Sequence, residues 1–214
     1  PTHPTQGRRF TNARDLLTSM AKAQEIEIVE VLPRLATKSE LEQVHSPAYI
    51  NQVLDEHTCD EWDGARPDMS HLAALFVGGT LTALEALLAK KTKLAINFPG
   101  AKHHAQFDHA SGFCIFNDFA LAADIATKDY GLNVLILDID AHHGDGVEFQ
   151  TNDSLTCFHV SSILNSSSSL ESCLLIAAYP KSCATAKTWD AVWDSKVSMK
   201  PDGWVVEMRI PYIS

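Results

Sequence analysis

The 214-residue sequence is short of positive charge: 17 Lys and Arg stand against 27 Asp and Glu, giving a formal net charge of -10 and a pI near 5.4. Phosphate backbones are bound largely through clustered Lys and Arg, so this balance argues against a direct nucleic-acid partner. An acidic rim suits a cationic substrate instead. Cysteine is also scarce. Cys59, Cys114, Cys157, Cys173 and Cys183 are odd in number and form no CxxC pair, so neither a disulfide framework nor a zinc knuckle is expected, and a cytoplasmic location is the default. No apolar run approaches the ~20 residues of a membrane span, and the start lacks the basic-then-apolar layout of a secretory leader. No membrane partner is expected.

What is present is a 45% hydrophobic composition, enough for one domain with a core. Asn12 is placed to cap a helix over "ARDLLTSMAKAQ", and Ser46 with Pro47 to start one over "PAYINQVLDEH". "EIEIVEVL" (25–32) alternates like a strand, "EWDGARPDMS" (61–70) reads as a loop, and His71 to Lys90 reads as a long apolar helix. "LAINF" (94–98), "NVLILDID" (133–140) and "SLTCFHVS" (154–161) are apolar runs read as buried strands, the first two expected as parallel neighbours. Between those two lies "FNDFALAADIATKDYG", a helix with Asn117 at its start and Gly131 at its end. Strand, helix and strand in this order predict an α/β fold, a parallel sheet with helices on both faces. The Ser-rich stretch 165–186 reads as linker-like. The tail 187–214, with three of the four tryptophans and a Pro-Asp-Gly turn, reads as a β-hairpin.

The stretch "LDIDAHHGDG" (137–146) ends an apolar run with a cluster of ligand-type side chains. Alternate strand residues share a face, so Asp138, Asp140 and His142 are expected together at the strand's carboxyl end, where open parallel sheets place their ligands. An Asp and a His offer oxygen and nitrogen donors of the kind zinc takes. The alternative is a polar strand end whose side chains only cap backbone amides. A second cluster, "PGAKHHA" (99–105), sets His103 and His104 after the run 94–98. Two imidazoles carry acid–base chemistry near neutral pH when carboxylates orient them.

"PGAKHHAQFDHASGFCIFND" followed by "VLILDIDAHHGDG" resembles the zinc-dependent histone deacetylase family, which includes bacterial histone-deacetylase-like proteins and acetylpolyamine amidohydrolases. "THPTQGRRF" and "LEQVHSPAYI" resemble two further elements of that family, so the likeness spans roughly residues 2–161. It implies a three-layer arginase/deacetylase-like α/β sheet, incomplete, over residues 1–164. It also implies hydrolysis of an acetyl amide on acetyl-lysine in a protein or on an acetylated polyamine. By the same resemblance Asp140 and His142 are zinc ligands, and His103 and His104 handle protons, oriented by Asp138 and Asp145 respectively. Gly112, Phe113 and Cys114 form the substrate channel, with Cys114 a packed wall residue rather than a nucleophile. Asp138, Asp140, His142 and Ser161 fall where the family binds potassium.

Several family features find no counterpart here: the third zinc-ligand Asp, the oxyanion-stabilising Tyr and a Pro-Gly-Thr-Gly loop. A truncated, weak or inactive enzyme is therefore expected, with a non-catalytic remnant of the fold as the alternative. Arginase-like ureohydrolases are the nearest rival, but their two-metal motif requires an Asp where this chain has Gly144. The tail after Asn165 resembles part of a carbohydrate-binding-like β-sandwich.

Overall fold

The structure is a computed structural model that describes residues 8–138, 140 and 142–150, together with the strands 156–159, 175–180, 194–200 and 203–209. The chain divides into two compact units, Pro1–Tyr179 and Pro180–Ser214. The larger contains α1 (Arg8–Ala23), α2 (Lys38–Leu41), α3 (Pro47–Leu54), α4 (Pro67–Leu88), α5 (Asp118–Lys128), β1 (Leu132–Asp138), α6 (Asp145–Gln150), β2 (Thr156–His159) and all but the last residue of β3 (Leu175–Pro180). The strands form one sheet in the order β2-β1-β3. β1 and β2 run parallel, in register from Leu135↔Thr156 to Asp138↔His159. This is an α/β arrangement in which α5 packs on β1 and α4 on α5.

Local chemistry explains most helix ends. Ser46 accepts a hydrogen bond from the Tyr49 amide at the start of α3, beside Pro47 with its pre-set φ. Asn117 does the same for Ala120 in α5, and Gly131, at φ +63°, donates its amide to the Thr127 carbonyl beyond the helix end. Thr37 and Glu40 form a reciprocal capping box that starts α2, an element absent from the sequence expectations. α1 starts at Arg8, so Asn12 lies inside it rather than capping it. α4 starts at Pro67 rather than His71, because Pro67 suits the first helical position and Asp68 favours the positive end of the helix dipole.

α4 also corrects the membrane reading. By length and composition this helix is apolar enough to cross a bilayer. In this fold it is a core helix, with Ala73, Ala74, Val77, Leu81 and Leu84 buried. Gly78 makes close packing possible: a Cβ there would lie 1.7 Å from the Arg34 carbonyl oxygen. One core cluster joins Leu41, Ile50, Val53, Val77, Leu81 and Phe116. A second, formed by Leu84, Phe119, Val134, Ile136 and Val147, ties α4, α5 and α6 to β1.

Two expected strands differ. Residues 25–32 and 94–98 form no ladder, and the neighbours of β1 are β2 and β3 rather than 94–98. Leu94, Ile96, Val29, Val31 and Leu32 are exposed. The alternation of 25–32 and the continuous apolar run of 94–98 describe how a segment's side chains are arranged, but a strand exists only with a paired neighbour, and neither pattern specifies one. β3 falls within the stretch read as linker-like, whereas residues 165–174 and Ser161 lie outside the described residues. In the smaller unit β4 (Asp194–Lys200) and β5 (Gly203–Arg209) pair antiparallel, with Lys200 opposite Gly203.

Candidate active site

β1 delivers Asp138 to the end of the sheet, where it is buried. Asp138 Oδ2 lies 2.6 Å from His103 Nδ1, and its Oδ1 accepts the Asp140 amide at 3.0 Å. A carboxylate accepts only, so His103 carries its proton on Nδ1 and leaves Nε2 for proton exchange. Burial alone would lower the His103 imidazole. The hydrogen bond donated to Asp138 and the charges of Asp138, Asp140 and Asp145 outweigh it, and the net displacement is upward.

The neighbouring ring repeats the arrangement. His104 Nδ1 lies 2.7 Å from Asp145 Oδ1, and the two imidazole centroids are 4.1 Å apart. Burial would raise the Asp145 carboxyl, but the hydrogen bond from His104 holds it below its ordinary value. Asp145 opens α6, and Gly146 lets that helix meet the histidine loop, since a Cβ there would lie 2.3 Å from the Ala105 carbonyl oxygen. The Val147 amide then donates to the His103 carbonyl at 3.2 Å. Gln106, which lies in the family-like stretch 99–118 but is given no role by the resemblance, donates its amide to Asp145 Oδ2 at 3.0 Å and to the His104 carbonyl at 3.1 Å.

Asp140 and His142 meet on the same side. Asp140 Oδ1 is 2.9 Å from His142 Nδ1, and the His142 ring lies 6.2 Å from that of His104. Two ligands of a tetrahedral zinc lie about 3.3 Å apart, whereas this oxygen and nitrogen are at hydrogen-bond distance and face each other, so the pair would have to open to take a metal. They are only a pair. Among the described residues no three His, Cys, Asp or Glu side chains gather as a metal-binding group.

Gly112, at φ +54°, packs on His104; a Cβ there would lie 2.5 Å from His104 Cδ2. Phe113 follows at φ +62° and is exposed, while Ser111 and Cys114 exchange backbone hydrogen bonds across the pair. Burial pushes the Cys114 thiol up to about 11, which leaves little thiolate near neutral pH. The two ends of this loop are held by His45, a buried residue that stands out in sequence only within the Val-His-Ser resemblance. The Asn117 amide donates to His45 Nε2 at 2.9 Å, so Nδ1 carries the proton and donates to the Gln106 carbonyl at 2.8 Å. Burial pushes this imidazole down to about 4.

The chain matches the histone deacetylase domain over residues 3–169. Acetoin utilization protein AcuC of Bacillus subtilis (strain 168) is 37% identical over 165 residues, covering 71% of this chain and 42% of that protein. The AcuC protein of Staphylococcus aureus (strain COL) is 33% identical over 173 residues, covering 74% and 44%. Histone deacetylase 8 of Xenopus tropicalis is 34% identical over 154 residues, covering 66% and 41%. The chain thus spans under half the length of these relatives. With two His–Asp pairs side by side, one of them at the end of the parallel β1–β2 pair, and this match across most of its length, the chain belongs to the histone deacetylase family.

Proposed function

We propose that this chain carries the proton-handling half of a zinc-dependent amidohydrolase site, which removes an acetyl group from acetyl-lysine in a protein or from an acetylated polyamine. The observation that carries the reading is the pair of adjacent imidazoles, 4.1 Å apart, each held by its own carboxylate. His103 and His104 present Nε2 for proton exchange: one removes a proton from the attacking water, and the other returns a proton to the departing amine. Asp138 and Asp145 fix tautomer and orientation. Asp140 and His142 would hold the metal, and Gly112, Phe113 and Cys114 would flank the acyl-lysine stem. Bound zinc supplies the Lewis acidity that polarises the carbonyl and makes water acidic near neutral pH. Potassium on Asp138, Asp140, His142 and Ser161, a three-layer sheet with helices on both faces, and a cytoplasmic location belong to the same reading.

Turnover by this chain is expected to be slow or nil. Two protein ligands anchor zinc less well than the usual three of a catalytic site, and lack of one oxyanion donor costs about 10²–10³ in rate. The test is therefore zinc occupancy alongside hydrolysis of acetyl-lysine peptide and acetylpolyamine. His142→Ala is expected to lose zinc, and His104→Ala to keep zinc while losing whatever turnover the chain has. Full occupancy in His142→Ala would refute the ligand role. A non-catalytic remnant is favoured by one observation, the lack of a three-ligand group among the described residues. Zinc absent by elemental analysis after saturation would support it.

A further inference from the structure

We propose that Asp118 is a positioning residue for the His103–His104 pair, acting through the backbone of Ala101 and Lys102. The role rests on reading those histidines as the proton-handling pair. The geometry on which Asp118 acts is independent of that reading. Asp118 is fully buried at the first position of α5. Its Oδ1 accepts the Lys102 amide at 2.8 Å, and its Oδ2 accepts the Ala101 amide at 3.2 Å and the Thr80 hydroxyl at 2.5 Å. Burial raises this carboxyl above its ordinary value, and the donors from Thr80, Lys102 and Ala101 counteract it.

The residues so held lead directly into His103. Ala101 sits at φ +70°, a left-handed conformation that disfavours an L residue with a Cβ. Two consecutive amides converging on one carboxylate hold it there. Gly100 leaves room for the arrangement, since a Cβ at that position would lie 2.8 Å from Asp118 Oδ2. Behind the carboxylate, Asn97 donates to Thr80 Oγ1 at 2.8 Å and to the Phe76 carbonyl at 2.9 Å, which anchors the network to α4. One buried acid thus ties α4, α5 and the histidine loop together. Released from it, the chain at 101–102 relaxes, and His103 loses its fixed approach to Asp138.

Asp118→Asn isolates the effect. The amide oxygen can still take the Lys102 N–H, but an NH₂ then faces Ala101 and Thr80. The Thr80 hydroxyl can turn and accept, whereas the Ala101 N–H cannot. In the whole chain, hydrogen exchange at Ala101 is expected to rise about tenfold relative to the α5 amides, the size of one lost hydrogen bond. The low-field His103 Nδ1–H resonance is expected to broaden, with the α5 and β1 amides still protected. Adding Ala101→Gly, which removes the Cβ penalty, should restore the resonance. Unchanged exchange and resonance in Asp118→Asn would overturn the proposal, as would failure of Ala101→Gly to restore the resonance. If Asp118→Asn does not fold, Thr80→Val removes one donor while keeping the carboxylate. A smaller rise confined to residues 101–102 then supports the proposal, and a rise spread over α5 and β1 overturns it. Zinc occupancy that ignores His142 would refute the proposed function and leave these resonance outcomes to decide on Asp118 alone.

Discussion

The two His–Asp pairs are alike in bond and unlike in surroundings. His103–Asp138 and His104–Asp145 close at 2.6 and 2.7 Å, yet the side chains of the first pair are 6% and 4% exposed and those of the second 21% and 50%. Water can take over the hydrogen bonds of an exposed carboxylate but cannot reach a buried one, so equal distances carry unequal energies. His45 completes the comparison as a buried imidazole whose two ring nitrogens hydrogen-bond to backbone groups. Burial without a carboxylate pushes it down to about 4, whereas burial against Asp138 leaves His103 displaced upward.

The largest expected effect comes from breaking the buried pair. Asp138→Ala strands His103 and leaves the Asp140 amide without the Asp138 oxygen, and should cost about 3–5 kcal/mol in urea denaturation. If Asp145→Ala costs as much, burial is not what separates the pairs. Next is the pH response of His45. A folded state that holds this imidazole neutral keeps the full contribution above the unfolded pKa of about 6.5 and loses it as pH falls toward 4. The loss is about 3 kcal/mol, read as a falling urea midpoint that flattens in His45→Gln. A slope equally steep in that variant would assign the response to another group.

Gly146→Ala sharpens the comparison from the exposed side. In a helix this change ordinarily stabilises by about 0.5–1 kcal/mol. Here the added Cβ would meet the Ala105 carbonyl, so a loss of about 1–3 kcal/mol is expected. A gain in stability would show that α6 does not need this close approach. Smallest is Asp145→Ala, expected to change stability by less than about 1 kcal/mol while removing whatever zinc-dependent turnover the chain shows.

Much of this was readable because it depends on short-range chemistry. Ser46, Asn117 and Gly131 act on amides or carbonyls three or four residues away, and the helix ends they mark were legible. The histidine and aspartate clusters were legible as dense groups of ligand-type side chains, and the family likeness matched each histidine to its carboxylate. Asp118 closes the family-like stretch 99–118 and marks a helix start, but its role was not legible, because its partners include backbone amides 16 and 17 residues away and such bonds leave no spacing pattern. Gln106 escaped for the same reason, reaching Asp145 across 39 residues. Run 25–32 looks like a strand because its side chains alternate, and 94–98 because it is continuously apolar; both are properties of the segment alone, whereas sheet pairing belongs to two segments.

The turn at Gly112 and Phe113 bears on the entropy of ligand capture. Two consecutive left-handed residues, closed by reciprocal hydrogen bonds between Ser111 and Cys114, leave the backbone under Phe113 little freedom. The conformational cost of presenting an exposed aromatic ring is thus met when the chain folds, not when a ligand arrives. A guest lying against Phe113 orders less backbone than it would on a floppy loop. Its affinity should consequently depend more on the contact it makes than on the disorder it removes.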